Sequence, residues 1–247
     1  MQTTDPGSPV DPSTTPPAHA AALPAVPSSG ATGSAGPATR VALTMAALSL
    51  AAYPVLRPYG PETGPEGAAD LASQAWVASH LFGMVGFVAL AVALRTGTGR
   101  SPFWVGPWAG QPTRNAAWAR ATETRGWLAA VLLLPYYGAE AYGLQAVAQH
   151  AVGTGRWDVL EVADSFRYAP VPITTFTLGL LALVLVGGRL VHGLWAAGTT
   201  VRAGAVLACV TLATYLPQFF LPPAGRIAHG LVLAAGLLLV AYGPRRR

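Results

Sequence analysis

Six long apolar stretches run through this chain, and only one carboxylate, Glu140, lies inside any of them. They occupy residues 41–57, 71–95, 126–149, 171–197, 203–221 and 227–243. Crossing the hydrocarbon core of a bilayer takes about 20 residues of helix. Most of the runs approach or exceed that length, and the first does once its flanks are counted. An unpaired backbone group in lipid is too costly to tolerate, so each run is expected to be a helix. The fold class that follows is all-α: a polytopic transmembrane bundle of six helices over residues 39–247.

Composition supports this reading. Only 10% of the 247 residues are charged, against about 25% in a soluble domain. Every basic residue is Arg, and with the abundant Ala, Gly and Pro this points to a GC-rich bacterial genome and a bacterial plasma membrane. The net charge of +5 does not indicate nucleic acid, because the arginines sit singly between apolar runs instead of lining one polar face. Cys209 is the only cysteine, which excludes an intramolecular disulfide and a Cys-based metal site. Residues 1–38 are rich in Pro, Ser, Thr, Ala and Gly with no aromatic, and are expected to form a disordered cytoplasmic tail.

The connections orient the bundle. Segment 95–125 carries Arg95, Arg100, Arg114, Arg120 and Arg125 against Glu123, and the chain ends in Arg245, Arg246 and Arg247. Segments 57–70 and 151–170 are instead rich in acids. The excess of Arg on alternate sides places both termini and the 95–125 loop in the cytoplasm. Trp127 and Trp195 fall at the expected cytoplasmic interface. Trp104, Trp108 and Trp118 lie in the basic loop, which either rests on the membrane surface or is simply solvated. Between Arg156 and Tyr168, Trp157, Leu160, Ala163 and Phe166 recur every three residues, the pattern of a short amphipathic helix. Such a helix would serve as an interfacial connector or as a lid.

Polar residues inside the runs mark a candidate site, since ionisable groups in lipid are expensive. At about 1.5 Å per residue, Glu140, His80 and His229 fall in the outer half of their helices, roughly 3–9 Å beyond the middle. Tyr136 and Tyr137 precede Glu140 by one helical turn. Pro135 is expected to kink that helix. Thr211, Tyr215 and Gln218 recur at i, i+4 and i+7, one polar stripe on the fifth helix. Gly83 beside His80 leaves room for a neighbour to approach.

In general outline the chain resembles the small multi-pass integral membrane proteins of GC-rich bacteria. No motif carries a named family, so no functional residue is transferred. Two function classes stay open. The first is a small permease or membrane accessory subunit, handling a small molecule or proton at His80, Tyr136, Tyr137, Glu140, Tyr215, Gln218 and His229. The second is a redox protein or enzyme with a metal on His80, Glu140 and His229, or a haem between His80 and His229. No Ser-His-Asp order, phosphate-binding loop or Cys cluster points to an enzyme. Against both stands the possibility that these groups only tie helices together.

Overall fold

The computed structural model describes residues 35–97 and 112–245, and these fold into helices and connecting turns without a strand. The expected tail lies outside the described residues up to position 34. Helix α1 (Pro37–Leu56) begins at Pro37, within the last residues assigned to that tail from the sequence. Proline suits the first helical position, where its missing N–H has no intrahelical partner to lose. Pro54 lies within the last turn of α1 and is buried there.

The second apolar run divides. Helix α2 (Gly64–Ala72) is followed after a single residue by α3 (Gln74–Thr96). Ser73 makes the break, its Oγ accepting from the Trp76 N–H at 3.1 Å as the cap of α3. The third run is longer than its apolar part. Helix α4 (Pro112–Gly138), a π-helical turn (Ala139–Leu144) and α5 (Gln145–Thr154) follow end to end, roughly 60 Å of helix at about 1.5 Å per residue. It stops at Gly155, whose φ of +69° is a left-handed cap that other residues adopt only with strain. Residues 112–125, expected to be loop, are therefore helical. Trp118 is buried within the protein there, with the Arg189 guanidinium 5.2 Å over its ring. Trp104 and Trp108 lie outside the described residues.

A short 3-10 turn (Trp157–Glu161) leads into α6 (Val162–Arg167), then α7 (Pro170–Leu194) and α8 (Thr199–Ala213). The fifth run, expected to be helical to residue 221, ends at Ala213 and continues as a 3-10 turn (Pro217–Phe220). Pro217 has no N–H for the Ala213 carbonyl, so the ladder cannot continue. Helix α9 (Pro223–Tyr242) closes the chain.

The long helices pack as α1 on α3, α3 on α4, α4 on α7, α7 on α8, α8 on α9 and α9 on α1, a closed ring. Small residues set the tightest approach. A Cβ on Gly236 of α9 would lie 2.8 Å from the Ala208 nitrogen and 3.0 Å from the Gly204 oxygen of α8. Leu43, Leu50, Phe87, Leu133, Leu183, Leu212 and Leu237 fill the interior. A second, smaller core caps one end, where α2, the start of α3, the π turn with α5, and the 3-10 turn with α6 bury Ala68, Leu71, Trp76, Leu144, Ala148, Leu160 and Ala163 together.

Helices α1, α3, α7 and α9 are each long and apolar enough to cross a membrane. Helix α8 is apolar but only 15 residues long. Helix α4 begins in a charged stretch with Arg114, Arg120, Glu123 and Arg125, and the π turn interrupts its apolar part. These helices are compatible with a membrane protein.

Candidate functional site

The site lies where the ring meets the cap. Glu140 stands in the π turn, five residues after Pro135. A π turn disturbs the regular i→i−4 ladder, a deviation often found at functional positions. Here the Trp76 indole reaches across from α3 and donates to the Glu140 carbonyl at 2.7 Å. The Glu140 side chain is only 6% exposed, so its carboxylate needs partners within the protein.

Arg167, the last residue of α6, supplies them. Its Nε donates to Oε1 of Glu140 at 2.6 Å and its Nη2 to Oε2 at 2.7 Å, a two-pronged pair. The third nitrogen, Nη1, donates to Oε2 of Glu62 at 2.6 Å. Glu62 in turn accepts on Oε1 from Nη2 of Arg57 at 2.7 Å. Arg57 lies 4.8 Å over the Trp76 ring, a cation–π contact, and its buried Nε has no hydrogen-bond partner among the described residues. Two carboxylates and two guanidiniums thus alternate along one chain of contacts. Burial acts against the charge on Glu62, but Arg167 and Arg57 outweigh it and hold its carboxyl below the usual range. Burial likewise acts against Arg167, and its hydrogen bonds to Glu140 and Glu62 outweigh that and raise its affinity for the proton.

His80 is 3% exposed. Its Nδ1 lies 2.8 Å from the Trp76 carbonyl, which can only accept, so Nδ1 carries the proton. That leaves Nε2 as a lone-pair acceptor with no hydrogen-bond partner among the described residues. The ring packs against Trp76 at 4.5 Å, Tyr53 at 5.5 Å and Tyr137 at 5.7 Å. Tyr137 occupies the gap left by Gly83, where a Cβ would lie 2.6 Å from its ring. The Tyr137 and Tyr215 hydroxyls bond at 3.1 Å, linking α4 to the end of α8. Tyr136 turns the other way and stacks on Phe176 of α7 at 4.2 Å.

These groups surround a half-open cavity of about 400 Å³. His80, Tyr136, Tyr137 and Glu140 line it, as the sequence pattern placed them. Tyr53, Arg57, Glu62, Arg167 and Tyr168 line it as well. Phe176, Phe219, Phe220 and Arg226 complete its apolar side and its rim. Tyr215 and Gln218 are buried behind the wall. His229 does not join the group: its Nε2 bonds the Thr214 hydroxyl at 3.1 Å and it does not line the cavity.

Among the described residues no group of three or more His, Cys, Asp or Glu is placed to hold a metal ion. His80, Glu140 and His229 therefore do not close into the ligand set considered from the sequence. Glu140 is taken up by Arg167, His80 bonds the Trp76 carbonyl through Nδ1, and His229 bonds the Thr214 hydroxyl through Nε2. The residues not foreseen include Tyr53, Arg57, Glu62, Trp76, Arg167 and Arg226. One signal pointed to the arginines: a carboxylate among apolar helices demands a cation, and only Arg57, Arg156, Arg167 and Arg226 border the connections at its end of the bundle.

In comparison with known proteins, no family model, curated protein or solved structure matches this chain.

Proposed function

We propose that this is a six-span protein of a bacterial plasma membrane whose cavity receives a small molecule, as a permease or as the binding subunit of a larger membrane assembly. In this reading α4 with its π turn and α8 with its 3-10 extension are the two further crossings. Both termini face the cytoplasm, and the cavity opens at the outer face. The observation that carries it is the cavity itself, of about 400 Å³ and walled by groups from α1, α3, α4, α6, α7 and α9. Its size falls within the range of small-molecule sites, roughly 300–1,000 Å³. Structural tie groups alone would be packed shut. Here His80 and four tyrosines border open space.

The α6 segment supports a gating role. Arg167 and Tyr168 close one side of the cavity from a connector, held to the bundle by Glu140 and Glu62. Exchange of that ion pair for a solute contact would release the connector. The test is reconstitution into sealed vesicles and uptake of a panel of small organic acids, amines, alcohols and sugars. At least one solute is expected to enter faster than into protein-free vesicles, and Glu140→Gln is expected to slow that entry at least tenfold. Vesicles indistinguishable from protein-free ones across the panel would turn away the permease reading.

A further inference from the structure

The wall of the cavity is not electrically neutral. Arg57 and Arg167 are balanced by Glu62 and Glu140 through the alternating ion pairs. Arg226 also lines the cavity, and among the described residues it pairs with no carboxylate. Its Nε donates to the Leu221 carbonyl at 2.9 Å and its Nη2 to the Phe219 carbonyl, with the guanidinium 5.6 Å from the Tyr59 ring. These contacts hold its position and leave its charge uncompensated. Arg226 also sits in the first turn of α9, and Ile173 of the lining sits in the first turn of α7. Both helices therefore point the positive ends of their dipoles toward this region.

The rest of the wall states the other half of the requirement. Tyr136, Phe176 and Phe219 present aromatic surface to the cavity. The carboxylates that would attract an amine are already engaged by Arg167 and Arg57. We infer that the cavity binds a small organic acid, its anionic head at Arg226 and its apolar body against the aromatic wall. A hydroxyl or protonated nitrogen on that body would find its acceptor at Nε2 of His80. This inference names the ligand class for the small-molecule reading above and rests on it.

The test uses the full-length protein in lipid nanodiscs and three probes of one shape: benzoate, benzyl alcohol and benzylamine, followed by equilibrium dialysis at low salt. Benzoate is expected to bind saturably and at least tenfold more tightly than either other probe. Arg226→Gln is expected to lower benzoate affinity at least tenfold and leave benzyl alcohol unchanged, and Arg226→Lys to restore most of it. Phe176→Ala is expected to weaken benzoate and benzyl alcohol alike. The inference is overturned if benzylamine binds as well as benzoate, if benzoate shows no saturable binding, or if a folded Arg226→Gln protein binds benzoate as the parent does. Comparison of the three probes on the unaltered protein stands even where a variant fails to fold. Benzoate binding without vesicle uptake would remove the permease reading and leave the anion site. Uptake of a solute without charge selection would do the reverse.

Discussion

Both oxygens of Glu140 accept hydrogen bonds from one guanidinium, and the same guanidinium holds Glu62. At the residue scale this makes Arg167 the group whose loss leaves most behind. With Arg167 removed, a nearly inaccessible carboxylate has no cation, and breaking a buried pair from one side costs about 3–5 kcal/mol. Arg167→Met is expected to lower stability in detergent by that order. Glu140→Gln combined with Arg167→Met should cost clearly less than the two separate losses added together, because the double change removes both charges. Thermal unfolding of the four proteins checks this, and additive losses would show that the pair is not coupled. At this scale Glu140, His80, Tyr136 and Tyr137 were legible in the sequence as polar groups within apolar runs, and the fold brings the four to one cavity. Arg167 was legible only as a loop charge. Its partner lies 27 positions away along the chain, and no helical periodicity connects a connector residue to a helix interior.

Elements are decided by local chemistry where the pattern is strong and by backbone exceptions where it is not. The amphipathic repeat of Trp157, Leu160, Ala163 and Phe166 did form a short helical connector, and it packs against α2 and α5. The third apolar run did form a helix, yet Pro135 is followed by a π turn that periodicity does not register. The fifth was cut at Pro217, a break that the proline announced and the apolar pattern concealed. Helix contacts depend on missing side chains as much as on present ones. Gly236→Leu would force the α8–α9 pair apart, since its Cβ has the Ala208 nitrogen within 2.8 Å. A cost of about 1–3 kcal/mol is expected from such overpacking. Gly188→Leu, at a position with open space, is expected to cost little. Thermal unfolding of both variants decides whether the close approach stabilises the pair.

For the whole molecule, the ring of long helices and the polar cap at one end make two layers with different tasks. The ring buries Leu, Ala and Phe, and the cap carries the charges that complete the cavity. The proposed orientation sets the cap outside. A single cysteine at Ser101, in a Cys209→Ser background, is expected to react with a membrane-impermeant thiol reagent in inside-out vesicles and to be protected in intact cells. Labelling in intact cells would reverse the orientation.

Helical content and the apolar faces were determined by sequence alone, because periodicity, length and scarcity of charge act through neighbours a turn apart. So was the choice of Glu140, since an acid in an apolar helix is conspicuous wherever the helix packs. What closes around it was decided only by the tertiary structure. The pairing of Arg167 with Glu140 and Glu62, the seating of Arg57 on Trp76, and the exclusion of His229 from the cavity all join distant parts of the chain. Electrostatic pairing selects partners by distance in space, and that distance exists only once α6 has folded back over the end of the ring.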